Sequence, residues 1–310
     1  MASTPDLQRL GGGTHVLRGA VNSGLVETEN GLLAIDTGLD RGAANRILRA
    51  AEALGRPIVA ILNTHAHADH HGGNAQLVRR LAVSVHAPAV EEAVIREPRY
   101  EPVYLFGGAT PVSALVNRFL QAEPSPVDHV IRAGETVVID GRPLDIVDLA
   151  GHSLAQVGVR AGDVLFAADG FFGREPLEKH GVPYLVDAFR WMETLRALGT
   201  MDAAWMVPGH GEPLDDPSET LALNLAVLDR AAAWLLDRLA RGPAGTEDLL
   251  ADFAPALGMR IADPTSYVLN RATLLGFLSS FEGKGKASVL IEDGRWLWTA
   301  DGRASAPGGA

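Results

Sequence analysis

The run Thr64-His65-Ala66-His67-Ala68-Asp69-His70 places three imidazoles and a carboxylate within six residues, directly after the apolar stretch Ile58 to Leu62. Five consecutive apolar residues read as a strand buried on both faces. The polar cluster therefore sits at the end of a core strand, where the chain has to turn. On a helix, side chains two positions apart diverge, so the spacing predicts a non-helical loop that aims alternate side chains at one point. The chain has no cysteine, which removes disulfides, zinc ribbons, iron–sulfur clusters and thiolate nucleophiles. A metal bound here has to be held by His and carboxylates, donors that suit zinc and also iron or manganese.

Three further strand-like stretches end in the same kind of chemistry. Leu144 to Leu149 leads into Gly151-His152-Ser153, Val164 to Ala168 ends at Asp169-Gly170, and Ala204 to Val207 ends at Pro208-Gly209-His210-Gly211. Each sets one His or Asp beside glycine, where the backbone can come close to a bound ion. The candidate metal ligands are thus His65, His67, Asp69, His70, His152, Asp169 and His210. His71 is expected in solvent or in a supporting position, because an extended loop turns it away from His70. His15, His86 and His129 lack partner spacing and carry no assignment.

A chain of 310 residues is long enough for one large domain, or for a large one with a small appendage. Strands are expected at Gly24 to Thr28 and Leu32 to Asp36 around an Asn30-Gly31 turn, then at Ile58 to Asn63, Val83 to His86 and Gln156 to Ala161. Helical periodicity marks Arg41 to Leu54 and Asp187 to Leu198, giving an α/β class with hairpins. From about residue 215 the pattern changes. Asp216-Pro217-Ser218-Glu219 opens a helix with proline at its first position, and Leu221, Leu225, Leu228, Ala232, Leu235 and Leu239 follow on one face. Two more helices are expected from Thr246 and from Asp263-Pro264, then a hairpin from Ala287 to Thr299 around Asp293-Gly294. That order is the order of a winged-helix module. The expected organisation is a catalytic domain over 1–214, a winged-helix-like domain over 215–303 and a flexible tail over 304–310. Within the first domain, residues 91–127 read as an inserted helical lid.

The net charge of −11 and the lack of a basic run speak against nucleic acid and anionic membranes as partners. Residues 211–310 carry 14 acidic against nine basic side chains, which weakens a nucleic-acid role for a winged helix there. Neither a membrane-spanning run nor a secretory leader is visible, so a cytoplasmic protein is expected. A small-molecule substrate is the expected partner, and homodimerisation is left open.

The order His65, His67, Asp69 and His70, then His152, Asp169 and His210, resembles the two-metal pattern of the metallo-β-lactamase superfamily over roughly residues 14 to 213. The resemblance implies an αβ/βα sandwich with the site along one edge of the paired sheets. It also implies that His65, His67 and His152 hold one metal, that Asp69, His70 and His210 hold a second, and that Asp169 bridges them. Two zinc ions are the expected cofactors, with iron or manganese accepted by the same donors. Asp36, followed by Thr37-Gly38, matches a family position that supports the ligand loop, although a turn-forming Asp before Gly explains it equally well. The resemblance is to glyoxalase II-type thioesterases, whose basic glutathione-binding cluster has no match here. A metal-bridging hydroxide, oriented by Asp69 and Asp169 as catalytic residues, is expected to cleave a small ester, lactone or thioester. The alternatives are a phosphodiesterase or endoribonuclease of the same fold, and a mononuclear-iron enzyme resembling persulfide dioxygenases. Phe172, His180, Tyr184, Tyr104 and Arg96 are the candidate pocket residues.

Overall fold

A computed structural model describes residues 6 to 300; the tail expected over 304–310 lies outside the described residues. The first sheet follows sequence order through β1 (Leu7–Gly11), β2 (Thr14–Leu17), β3 (Ser23–Glu27), β4 (Leu32–Ile35), β5 (Ile58–Leu62), β6 (Ser84–Pro88) and β7 (His129–Ile131). Its first four strands pair antiparallel, and the pairs from β4 to β7 are parallel. The second sheet contains β8 (Thr136–Ile139), β9 (Arg142–Asp148), β10 (Val157–Ala161), β11 (Val164–Ala168) and β12 (Trp205–Pro208). Only its β11–β12 pair is parallel. The helices are α1 (Arg41–Leu54), α2 (Ala68–His71), α3 (Asn74–Arg80), α4 (Glu91–Arg96), α5 (Tyr100–Leu105), α6 (Arg174–His180), α7 (Ala188–Leu198), α8 (Ser218–Ala240), α9 (Thr246–Ala256) and α10 (Pro264–Gly283).

The alternation of side chains along each strand builds the layers. Val26, Leu33, Ile35 and Leu62 of the first sheet meet Ile146, Val159, Phe166 and Val207 of the second in one buried cluster. Their sequence neighbours Leu25, Leu32, Ala34 and Ile61 point the other way and are covered by Ala44, Ile47 and Ala51 of α1. On the far side, Leu165, Ala167 and Met206 are covered by Trp191 and Leu195 of α7. The result is a helix–sheet–sheet–helix sandwich, as expected from the resemblance. Among the described residues, no helix is long and apolar enough to cross a membrane.

The C-terminal elements start where the capping signals place them. Asp263 accepts a hydrogen bond from the Ser266 backbone N–H, and the Ser266 hydroxyl accepts one from the Asp263 N–H, closing a capping box on α10. Helix α8 begins at Ser218 with Pro217 as its cap, one residue later than expected, and Asp216 accepts from the Ser218 N–H. A small sheet of β13 (Ala244–Gly245), β14 (Ala287–Glu292) and β15 (Arg295–Ala300), in the order β13-β15-β14, completes the region. These elements do not enclose a core of their own. Leu228, Leu235, Phe253, Phe277 and Phe281 join Leu165, Trp191 and Leu195 in a single buried cluster, so the core runs without a seam across residue 214.

Residues 91–127 contain α4, α5 and a short 3-10 turn over Ser113–Leu115. Leu105, Leu115 and Leu120 pack against Val268 of α10, and Asn117 Nδ2 donates to Thr265 Oγ1 at 3.0 Å. This segment and α10 thereby form facing walls of a cleft that opens at the ends of the strands.

Candidate metal centre

All seven candidate ligands lie at one edge of the sandwich, brought there by the ends of β5, β9, β11 and β12. His65 and His67 come from the extended chain after β5. At Ala68 the backbone turns helical, with His67 as the cap of α2, so Asp69 and His70 issue from a helical turn where a fully extended loop was expected. That turn splits the motif. His65, His67, His152 and Asp169 offer ligand atoms that all lie within 4.8 Å of one another, and Asp69, His70 and His210 form a second such group. His67 Nδ1 is 3.0 Å from His65 Nε2 and 2.9 Å from His152 Nε2. The Asp169 carboxylate faces both groups: Oδ2 is 3.3 Å from His152 Nε2 and 3.6 Å from His210 Nε2, and Oδ1 is 3.3 Å from His70 Nε2. His210 Nε2 is also 3.3 Å from Asp69 Oδ2.

These donors fit divalent metal ions. His70 Nε2 and Asp169 Oδ1 are buried without a hydrogen bond, a state that costs about 1–3 kcal/mol per group unless something pairs them. The two atoms lie 3.3 Å apart, and a cation coordinated by both would satisfy them. The nitrogens facing away from the centre are already engaged. His152 Nδ1 donates to the Tyr184 carbonyl and His210 Nδ1 to the Ala20 carbonyl, each at 2.8 Å. His70 Nδ1 lies 2.8 Å from Asp36 Oδ2. The Thr64 hydroxyl donates to Asp36 Oδ2 at 2.7 Å, so its oxygen is left to accept from His65 Nδ1 at 3.0 Å. Each of these four imidazoles thus directs Nε2 toward the centre with Nδ1 engaged elsewhere, so that the neutral form of each is the tautomer a metal requires.

Asp36 takes part in three of these contacts, because its Oδ1 also accepts from the Thr64 N–H at 2.9 Å. It sits at the end of β4 with φ of 54°, a strained conformation for a residue other than glycine. Several supporting residues carry no signal in the sequence. Glu91 accepts from the Ala66 N–H at 3.0 Å and from the Ser153 hydroxyl and Ala155 N–H at 2.7 and 2.9 Å, tying the first histidine loop to the His152 loop. Asn22 Nδ2 donates to the carbonyls of Pro208 and Gly211 at 2.9 and 2.8 Å and so fixes the loop that bears His210. Asn224, on α8, exchanges two hydrogen bonds with the backbone of Phe172. The Phe172 ring lies nearly parallel to His210, with centroids 5.5 Å apart. A Cβ at Gly209 would come within 2.1 Å of Asp169 Oδ1 and 2.8 Å of His70 Cε1, so only glycine fits between these two ligands.

Charge separates the two groups. Burial, followed by the neighbouring imidazoles, holds His65 well below the ordinary imidazole range. Burial also pushes His67 down to about 4 and His152 to about 3, against the opposing pull of Asp169. Burial opposes charge on His70 and His210 too, but Asp169 with Asp36 raises His70 well above its ordinary value, and Asp169 with Asp69 raises His210. Burial of Asp69 and Asp169 is outweighed by the surrounding histidines, which keep both carboxylates below the usual range.

The centre opens into a cleft of about 1600 Å³ lined by His67, Asp69, His152, Asp169 and His210 and by Ser266, Asn270 and Thr273 of α10. Phe172, His180 and Tyr184 of the expected pocket residues line it. Arg96 and Tyr104 do not. Arg96 is drawn along α4 into an ion pair with Glu92 four residues earlier, and Tyr104 is 46% exposed on α5. Glu101, one turn before on the same helix, lines the cleft instead. His71, expected in solvent or in support, is fully buried, because the helical turn of α2 carries it into the protein. His15 lies beside Glu27, and His86 stacks on His129 away from the centre.

A sequence profile described as the metallo-β-lactamase superfamily matches residues 16–210. A hydroxyacylglutathione hydrolase of Haemophilus influenzae is 26% identical over 193 residues, covering 60% of this chain and 82% of the relative. A protein of the same name from Rhodospirillum rubrum is 26% identical over 249 residues, covering 73% and 83%. Other relatives of that name match over only 42% and 39% of their own length. A β-lactamase domain protein from Burkholderia ambifaria superposes with a TM-score of 0.74 at 17% identity, covering 97% of this chain and 95% of that one. The last likeness is one of fold, and it extends through the C-terminal helices.

Proposed function

Because the chain belongs to the metallo-β-lactamase superfamily, we propose that it is a hydrolase that uses two zinc ions to cleave a small carboxylic ester, lactone or thioester. The observation that carries this reading is the convergence of two ligand groups on the two oxygens of one carboxylate, Asp169. His65, His67 and His152 would hold one ion and Asp69, His70 and His210 the other, with Asp169 shared. Two ions held there would lower the pKa of a water between them and polarise the scissile carbonyl. The chain's own residues supply the rest. Asp69 and Asp169, both ionised, orient the attacking water by accepting its hydrogen bonds. Phe172, Tyr184 and Val182 give the cleft an apolar wall suited to an acyl group. Residues 91–127 act as a cover over one side through Glu101, Asn117, Phe119 and Leu120. The relatives named hydroxyacylglutathione hydrolases favour a thioester among these substrates. The acidic balance of the chain favours a small molecule over a nucleic acid.

Metal content by elemental analysis, combined with an ester, lactone and thioester panel, tests the proposal. About two zinc ions per chain are expected, with hydrolysis that a chelator abolishes and zinc restores. One iron per chain, retained after His210→Ala and accompanied by persulfide-dependent oxygen uptake, would overturn it in favour of an oxidation. Salt-sensitive cleavage of single-stranded RNA without acyl hydrolysis would overturn it in favour of phosphodiester chemistry.

A further inference from the structure

Helix α5 carries Glu101 into the same cleft as His67 and Asp69, with only 4% of the residue exposed. Burial, then the acidic neighbours Asp69 and Glu91, raise its carboxyl well above the ordinary range, and the phenols of Tyr104 and Tyr184 lie within electrostatic reach of it. Among the described residues nothing donates a hydrogen bond to its side chain and no cation pairs with it. Glu91, buried to a similar degree, differs in that three donors from two loops consume its oxygens. Glu91 is therefore explained as a brace, and Glu101 has no such explanation. Its side chain is nearly buried while its carboxyl faces the cleft without a hydrogen bond, so the carboxyl is available to a donor that a ligand brings.

The surroundings indicate which part of a ligand reaches it. Near Glu101 the cleft is lined by Leu120, which is 1% exposed, and by Tyr184, whose ring lies 5.1 Å from that of His67. Lys179, Asn270 and Thr273 also line the cleft. The buried apolar lining beside Glu101 suits the smaller, acyl portion of a substrate. We propose that Glu101 is a specificity-determining residue that hydrogen-bonds a donor group, a hydroxyl or an ammonium, on the acyl part of the substrate. This inference rests on the hydrolase reading for the word substrate, but the recognition it describes is a binding property that turnover does not define.

Equilibrium binding tests it separately from catalysis. Zinc-loaded protein is titrated calorimetrically with butyrate, and with butyrates that bear a hydroxyl or an ammonium group at carbon 2, 3 or 4. At least one donor-bearing acid is expected to bind roughly tenfold or more tightly than butyrate, in line with leaving a buried acceptor unpaired. In Glu101→Leu that margin should collapse. Glu101→Gln, which keeps the shape and a neutral acceptor, should retain the margin of a hydroxyl and lose that of an ammonium, which identifies the donor. A margin absent from the parent protein, or one that survives unchanged in a folded Glu101→Leu, overturns the proposal. If the margin is present and none of the acyl panel is hydrolysed, the assignment of Glu101 stands and the hydrolase reading falls. If acyl hydrolysis is present and the margin absent, the reverse holds.

Discussion

The two ligand groups of the centre lie side by side and share Asp169, yet they are prepared for a metal in opposite ways. His65, His67 and His152 are buried among one another, and burial keeps their imidazoles neutral at neutral pH. His70 and His210 face the carboxylates of Asp36, Asp69 and Asp169, which raise them toward the protonated form. The first group is ready to bind a cation as folded. The second must first give up protons that its own carboxylates stabilise. A histidine-rich group thus binds through its lone pairs, and a carboxylate-rich group balances metal against proton.

The largest effect is expected from Asp169→Ala, which removes the one residue common to both groups. Zinc content should fall below one ion per chain, with acyl hydrolysis reduced by about a thousandfold or more if two ions carry the chemistry. Full activity with both ions retained would refute the shared role. Gly209→Ala should break the groups apart: its methyl collides with Asp169 Oδ1 and with His70, so elemental analysis should show the second ion lost while the first is held more weakly. Asp36→Asn removes the carboxylate that faces His70 but leaves an oxygen to accept from the Thr64 N–H. The second group should then lose about 10- to 100-fold in metal affinity, the usual scale for such supporting residues.

The same contrast gives a pH dependence with a definite sign. Below their raised values His70 and His210 are protonated in the metal-free protein, so binding at the second group releases protons and weakens as the pH falls through those values. Binding at the first group releases none near neutrality and should hold until the pH approaches about 4, where His67 titrates. A titration of zinc content against pH should therefore show two steps, the second group emptying first; one coincident step would erase the distinction. The smallest effect is expected from Asn22→Ala, which loosens the His210 loop without touching a ligand. A several-fold loss of affinity confined to the second ion is the outcome to look for in competition with a chelator.

Sequence and structure agree where the signal is local. The strand before His65, the Gly-flanked His152, Asp169 and His210, and the helix start at Asp263-Pro264 were legible because each depends on residues a few positions apart. Reading failed where a side chain's role is set by distant chain. Glu91 carries no signal of its own in the sequence and is the brace between two ligand loops. Arg96, a candidate pocket residue in the sequence, is drawn to Glu92 on its own helix. The expected boundary near residue 214 follows a true change of pattern, but the apolar faces on either side of it are buried against each other.

The kinds of donor, their order and the strand ends that present them were determined by the sequence alone, since side-chain chemistry and periodicity are properties of short stretches. Which donors share a group, which nitrogen each imidazole turns inward, and that Glu101 rather than Arg96 reaches the cleft were decided only in the folded molecule. The physical reason is that these depend on distances between residues such as Asp36 and His70, or Asn22 and His210, that are fixed by packing one sheet against another and by nothing nearer in the chain.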